Sequence, residues 1–250
     1  MAKKAQTIFL TIFLTAGFLI QGCGKREEAA ALPTADAMAD ATEKTPAPQE
    51  IAAAPKSDAP VEAKSTPPTA AVAKNLDGSF KAFVVYSDAS APDNHFDPSG
   101  WMGDVQDIKV SQEYTQNPHS GGTCIQIGYS AKKSQGSGWA GVYWQNPSNN
   151  WGTRPGGYDL TGAKKVTFWA KGEKGGERIE EFKVGGIANE YPDSDVIGIG
   201  PVVLTAEWQQ YSIDLEGKDL SSISGGFCWV ANADSNTQGF AFYLDDIKYE

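Results

Sequence analysis

The sequence is poor in the residues that carry most catalytic and metal chemistry. Its 250 residues include only two histidines and three cysteines. They form no HExxH or CxxC motif, and the chain has neither a G-x-S-x-G nucleophile elbow nor a phosphate-binding P-loop. No acidic residue lies in a motif that fixes one member of a glycosidase carboxylate pair. The sequence therefore predicts a protein that is not an enzyme.

Basic residues are also in short supply. The chain has 21 lysines and arginines against 31 aspartates and glutamates, so its formal net charge is −10 at pH 7. Phosphate binding needs a basic face, and anionic lipid headgroups attract the same side chains. The charge balance argues against nucleic acid as a partner and against direct docking on an anionic membrane surface.

Aromatic residues are missing from one long stretch. Residues 24–75 contain none, but they contain 16 alanines and seven prolines. Such a segment cannot bury enough apolar surface to offset chain entropy, and its prolines interrupt any long helix. We expect residues 23–75 to be a disordered linker that serves as a passive spacer. Residues 76–250 hold 24 aromatic side chains, enough for the core of one domain.

The first 22 residues have the layout of an export signal. Two lysines precede an apolar run, Ile8 to Ile20, that is shorter than a typical transmembrane helix. The run ends in the sequence Leu-Ile-Gln-Gly-Cys, which resembles the lipobox of bacterial lipoproteins. This resemblance implies a signal peptide over residues 1–22 and a lipid anchor on Cys23, which place the protein in the cell envelope. The resemblance also implies the outer membrane, because Gly24 stands where such lipoproteins carry an aspartate when they stay at the inner membrane. The alternative is an ordinary cleaved signal with a chance cysteine.

Short segments rich in β-branched and aromatic residues recur through residues 76–250, each bounded by glycine, proline, asparagine or serine. The predicted strands are Phe80–Tyr86, Thr123–Tyr129, Ala140–Gln145, Lys165–Lys171, Glu181–Val184, Val202–Leu204, Gln209–Asp214, Gly226–Val230 and Gly239–Tyr249. No window shows a convincing helical stripe. Nine short strands without alternating helices predict an all-β, antiparallel β-sandwich.

Several runs in this domain resemble jelly-roll carbohydrate-binding modules with a galactose-binding-like fold. They are Tyr158–Gly172, Leu204–Leu215, the closing run Phe242–Ile247 and the turn Pro118–Gly121. The resemblance implies an antiparallel jelly roll that binds a glycan or polysaccharide without catalysis.

The resemblance also implies a structural calcium ion. In such modules it ties the start of the domain to the closing strand, and the matching positions here are Asp88 and Asp245. Backbone carbonyls near residues 119–122 would complete the site. The alternative is that Asp245 and Asp246 are ordinary polar residues at a strand end.

Flat rings offer surfaces on which the C–H groups of a sugar can pack. Along the strand that ends at Gln145, Ala140, Val142 and Trp144 form an apolar face suited to the core. The opposite face is predicted to contact the glycan through Trp139, Tyr143 and Gln145, joined by Trp151 and Arg154 from the following loop. We assign Trp169 and Trp208 to the core. The alternative for all these aromatic residues is that they merely fill the sandwich.

Cys124 and Cys228 each lie inside a predicted strand of an exported domain, so a disulfide between them is predicted. The alternative is a pair of buried free thiols.

Taken together, these features predict a cell-envelope lipoprotein with a non-catalytic, glycan-binding β-sandwich. Two alternatives stay open: a structural or protein-interaction module of the same fold, and, more distantly, a glycan-processing enzyme.

Overall fold

Strands account for most of the regular structure in residues 78–250, the part of the chain that this computed structural model describes. They are β1 (Phe83–Tyr86), β2 (Asp97–Gly103), β3 (Ile108–Tyr114), β4 (Cys124–Tyr129), β5 (Trp139–Gln145), β6 (Lys165–Gly172), β7 (Arg178–Ile179), β8 (Glu181–Gly185), β9 (Val196–Ile199), β10 (Val202–Val203), β11 (Gln209–Asp214), β12 (Gly225–Asn232) and β13 (Phe240–Tyr249). The only helical element in this range is a 3-10 turn at Val105–Asp107. No described helix has the length and apolar character of a membrane span. The predicted signal peptide, lipidated Cys23 and linker lie outside the described residues.

Two antiparallel sheets form the domain. Sheet one has the strand order β11-β6-β13-β4-β3, with β1 paired to the last part of β13. Sheet two has the order β2-β5-β12-β8-β9, and the short strands β7 and β10 pair separately. The described strands pair antiparallel throughout, and many neighbours in a sheet are distant in sequence. The predicted antiparallel β-sandwich is confirmed.

The core lies between the sheets because each central strand directs alternate side chains inward. In β6, Val166, Phe168 and Ala170 are fully buried, whereas Lys165 and Lys171 face away from the core. Phe168 meets Phe182 and Phe227 from sheet two at ring-centroid distances of 4.8 and 5.0 Å. This contact joins the two sheets through aromatic packing, and truncation of one such ring costs about 3–5 kcal/mol.

Four strands were absent from the prediction, namely β2, β3, β7 and β9. Three of them are sheet edges: β2 and β9 flank sheet two, and β3 flanks sheet one. An edge strand tolerates proline, glycine and exposed polar residues because one of its sides lacks a partner. β2, with the sequence Asp-Pro-Ser-Gly-Trp-Met-Gly, therefore lacks the usual signature of a strand.

The predicted disulfide is wrong. Cys124 belongs to sheet one and Cys228 to sheet two, and both thiols are free and buried. The next residues along the two strands, Ile125 and Trp229, face the core. Because successive side chains of a strand point to opposite faces, the two sulfurs lie on the two outer faces of the sandwich. Burial raises the pKa of Cys124 to about 12. Both cysteines behave as small apolar residues.

Candidate functional site

The predicted sugar-contacting residues of β5 lie on the outer face of sheet two. Ala140, Val142 and Trp144 are fully buried in the core, as the alternation of β5 predicts. Trp139 and Tyr143 are therefore on the opposite face. The face is assigned correctly, but its residues differ greatly in exposure.

Trp139 stands at the open end of this face. Its side chain is 39% exposed, and Trp101 on the neighbouring strand β2 is 40% exposed. Gly103 makes room for Trp139, because a Cβ at that glycine would lie 3.1 Å from the ring and even closer to the Trp139 carbonyl. Gly103 pairs with Ala140, so both tryptophans lie at the same end of sheet two, but Trp101 pairs with the inward-facing Val142 and is therefore on the opposite face of the sheet from Trp139. We call the region around Trp101 and Trp139 the tryptophan end.

Neither of these two rings is occupied by another part of the described chain. Within residues 78–250, Trp101 and Trp139 have no aromatic ring or cation stacked on them. Exposed, unpartnered indole rings are the groups best suited to receive a ligand, since they combine a large apolar face with an N–H donor. Trp101 was not among the predicted site residues because β2 was not recognised as a strand.

Tyr143 and Gln145 are closed off from solvent. Tyr143 is 4% exposed and donates its hydroxyl hydrogen to the Gly185 carbonyl at 3.0 Å. Gln145 is fully buried, donates to the Asn150 carbonyl at 3.2 Å and accepts from the Ser99 hydroxyl at 3.1 Å. The prediction that both side chains line an open groove is wrong, because the loops after β5 and β8 fold over this part of the strand.

These two loops form a wall opposite the tryptophan end. Trp151 meets the edge of the Tyr143 ring at 5.9 Å, and the Tyr191 backbone N–H donates to the Gly152 carbonyl at 2.9 Å. Arg154 is exposed and donates to the Ser148 carbonyl at 2.7 Å. Trp151 and Arg154 therefore lie in the wall, where Arg154 is open to solvent and Trp151 is partly covered.

Asp193 fixes the second loop of the wall. Its carboxylate accepts the backbone N–H groups of Ile187, Ser224 and Gly225, which link the loop to the start of β12. Burial raises the pKa of Asp193 above its usual value, and these hydrogen bonds oppose that rise. The wall is thus held by a partly buried acceptor.

Between the wall and the tryptophan end, the surface has a low apolar floor. Met102, Gly141, Val230 and Glu181 form one row across four strands. Gly141 keeps the floor low, since a Cβ there would meet Met102 Cε at 3.1 Å and Val230 Cγ2 at 3.2 Å. Lys183 Nζ lies 3.0 Å from Glu181 Oε2, so a charged pair borders the row. This face therefore combines an apolar floor, the exposed ring of Trp139 and a charged pair that can form hydrogen bonds. Such a combination suits a ligand that has both C–H faces and hydroxyl groups.

The outer face of sheet one also carries aromatic residues, and it corrects the assignment of Trp169 and Trp208 to the core. Both are partly exposed on that face. His119 stacks on Trp169 with ring centroids 3.7 Å apart, and Lys171 Nζ lies 5.5 Å from the Trp208 ring centroid. Trp208 also donates its indole hydrogen to the Asn117 carbonyl at 3.1 Å. The chain itself covers these rings, so they are poorer candidates for a ligand than the tryptophan end.

The sequence did contain a signal for this outer face. Lys165, Trp169 and Lys171 share one side of β6 by strict alternation, and lysine almost never faces a core unpaired.

The residues predicted to hold calcium do not fit the ion. Asp88 Oδ1 accepts the N–H groups of Gly122 and Thr123 at 2.9 and 2.8 Å. Asp245 Oδ2 accepts the N–H groups of His119 and Ser120 at 2.9 and 3.2 Å. The segment thus presents N–H donors to these carboxylates, whereas calcium requires oxygen ligands. The described residues contain no group of three or more histidine, cysteine or acidic side chains that would hold a metal.

Solved structures that resemble this chain are carbohydrate-binding modules. A family 30 module is 16% identical, with a TM-score of 0.46, and the match covers 67% of this chain and 86% of the module. The family 30 module of the cellulosomal cellulase Cel9D-Cel44B of Clostridium thermocellum is 18% identical, with a TM-score of 0.46 and coverage of 68% and 96%. The family 11 module of Lic26A-Cel5E of the same organism is 14% identical, with a TM-score of 0.45 and coverage of 67% and 93%.

No protein-family model and no curated protein matches the sequence. At these identities and scores the structural likeness assigns no ligand, so the function proposed below is based on the residues of this chain.

Proposed function

We propose that the described domain binds a glycan, without catalysis, on the outer face of sheet two. The observation that carries this proposal is the exposed ring of Trp139 on this face, which no aromatic ring or cation of the described residues covers. The C–H face of a sugar packs on such a ring, and loss of one such anchor typically weakens binding by about 1–3 kcal/mol.

The rest of the face supplies the polar contacts that a sugar requires. The Lys183–Glu181 pair is partly exposed and offers charge-assisted hydrogen bonds to hydroxyls, which are stronger than neutral ones. The apolar row that contains Met102 and Val230 lies between this pair and the tryptophan end. A ligand placed across the strands would thus meet a ring, an apolar floor and a charged pair in turn.

We also propose that the domain is displayed in the cell envelope by a lipid on Cys23, with residues 23–75 as the spacer. The lipobox at the end of the apolar run supports this location. Replacement Cys23→Ser should release the protein from the membrane fraction. Retention of the variant in membranes washed with high salt would contradict the anchor.

A protein-interaction module of the same fold is the second candidate. Val196 and Val203 are 52% and 57% exposed, and exposed apolar residues are also used for protein partners. If the domain binds a protein partner through these valines and binds no glycan, protein interaction is favoured over sugar recognition.

The proposed function is tested by a glycan array followed by calorimetry on the best ligand. Trp139→Ala should weaken binding by about tenfold or more, which corresponds to at least about 1.4 kcal/mol, whereas Trp101→Ala removes a ring from the opposite face of β2 and should leave binding nearly unchanged. Trp208→Ala is the matched control, since it removes a partly exposed tryptophan from the other sheet. Thermal melts verify that each variant is folded. Binding by Trp139→Ala as tight as that of Trp101→Ala and Trp208→Ala, or the absence of any glycan ligand, would overturn the proposal.

A further inference from the structure

A cavity of about 400 Å³ opens at one end of sheet one, away from the residues discussed above. Its lining includes Lys109 on β3, Gly128 on β4, Phe240 on β13 and Lys132 on the loop between β4 and β5. Ligand sites for small molecules usually occupy about 300–1,000 Å³, so the cavity has the size of a site for a single sugar unit.

The floor of the cavity lacks a side chain. Gly128 lies between Lys109 and Ala241 in the register of the sheet, and a Cβ at Gly128 would meet nothing closer than Lys109 Cβ at 3.9 Å. The Phe240 ring lines the same cavity, 5.4 Å from the Tyr129 ring. A ligand on the outer side of the sheet therefore has access to the backbone of β4 beside Lys109, whereas Phe240, in register with Tyr129, borders the cavity from the core side.

The loop that forms one wall is held rigidly by a buried carboxylate. Asp107 Oδ1 accepts the hydroxyl hydrogens of Ser130 at 2.9 Å and Ser134 at 2.5 Å. Asp104, which is also buried, accepts the N–H groups of Gln135, at 2.8 Å, and of Gly138, at 2.7 Å. Burial raises the pKa of both carboxyls, but the hydrogen bonds outweigh it and leave each pKa below its usual value. Lys132 is thus displayed from a loop whose position is fixed in advance, which reduces the entropy cost of binding.

The two lysines of the cavity have no acidic partner. Within the described residues, neither Lys109 nor Lys132 forms an ion pair, whereas the adjacent Lys133 is paired with Asp234 at 2.7 Å. The one acidic side chain in the lining, Asp107, already accepts hydrogen bonds from the hydroxyls of Ser130 and Ser134 in the loop. In a chain with a net charge of −10, two unpaired lysines at one cavity are suited to an anion.

We propose that this cavity is a second binding site, separate from the outer face of sheet two, and that it takes a sugar carrying a carboxylate, a uronic acid. Lys109 and Lys132 bind the carboxylate, and the sugar ring lies over the backbone of β4 at Gly128, where no side chain blocks it. The hydroxyls of the sugar hydrogen-bond with the serine side chains and the exposed backbone of the wall. The site does not depend on the proposed function of sheet two.

The test compares glucuronate with glucose, since they differ only in the carboxylate at the sixth carbon. Nuclear magnetic resonance titration of the protein should give saturable shifts with glucuronate and binding at least about tenfold weaker with glucose. Lys109→Met and Lys132→Met should each weaken glucuronate binding several-fold. Lys133→Met is the matched control and should bind as the unmodified protein does, because its ammonium is already paired with Asp234.

Three results would overturn the proposal. One is equal binding of glucuronate and glucose, and another is unchanged glucuronate binding when Lys109 and Lys132 are both replaced by methionine. The third is equal competition by inorganic phosphate, which would show a general anion site with no selectivity for the sugar. Trp139→Ala separates the two proposals, since it should leave glucuronate binding intact while it weakens the glycan site of sheet two.

Discussion

Asp245 gives the fold a pH dependence that a single substitution can isolate. Its side chain is fully buried on β13, and burial raises its pKa from 3.8 to about 6. The hydrogen bonds from Ser120 and His119 oppose this rise, and the nearby charge of Asp246 adds to it. Asp245→Asn removes the titrating group while keeping a side chain of similar size that can still accept from the backbone.

The sign and size of the effect follow from the two pKa values of Asp245. Below pH 3.8 the carboxyl is protonated in both the folded and the unfolded chain. Between pH 4 and 6 the folded chain retains a proton that the unfolded chain has released, so the free energy of unfolding falls as the pH rises through this range. A difference of roughly two pKa units corresponds to about 3 kcal/mol, and the loss is complete near pH 7.

Urea denaturation of the unmodified protein and of Asp245→Asn at pH 4, 5.5 and 7 measures this effect. The unmodified protein should lose about 2.4 kcal/mol relative to the variant between pH 4 and pH 7, because all other titrating groups cancel in the comparison. Asp246→Asn should reduce this pH dependence without abolishing it, since the charge of Asp246 adds to the rise in the pKa of Asp245. A difference that stays constant with pH, or that grows in favour of the unmodified protein, would refute the reasoning.

Three further predictions concern stability and covalent state. Alkylation in denaturant should find Cys124 and Cys228 both as free thiols, and a reducing agent should leave the melting temperature unchanged; a disulfide in the mass spectrum would contradict the structure. Calcium and a chelator should give the same melting temperature, because the candidate carboxylates face N–H donors; a rise with calcium would show that the ion displaces them. Trp229→Ala should cost about 3–5 kcal/mol of unfolding free energy because the ring is fully buried, whereas Trp101→Ala should cost much less; similar losses would show that Trp101 is part of the core.

The fold was predictable because its central strands carry their own pattern. The predicted segments around β4, β5, β6, β12 and β13 differ from the observed strands by only a few residues, and the edge strand Gln209–Asp214 has the predicted bounds because Tyr211 and Ile213 alternate with exposed polar residues. Central strands must bury at least one face, so their alternation is strong. Edge strands such as β2 and β9 bury less and carry proline, glycine or exposed valine, which leaves little pattern to recognise.

The sequence predicted which face of β5 carries the candidate site residues, but it did not predict which of these residues are exposed to solvent. Alternation correctly placed Trp139 and Tyr143 opposite the core residues of β5. It could not show that distant loops bury Tyr143 while Trp139 stays open, because loop packing depends on contacts such as Tyr191 to Gly152 that no local pattern reveals. The predicted disulfide between Cys124 and Cys228 was wrong for a related reason, since the assignment of strands does not show which sheet each strand joins.

Sugar recognition by the tryptophan end is tested most directly by the indole N–H signals of the seven tryptophans in a nitrogen-15 correlation spectrum. On titration with the best glycan of the array, the signal of Trp139 should shift and saturate. The signals of Trp169 and Trp208 on sheet one should stay in place, because His119 and Lys171 already cover those rings. Shifts confined to Trp169 and Trp208, or no shift with any glycan, would contradict a glycan site on sheet two.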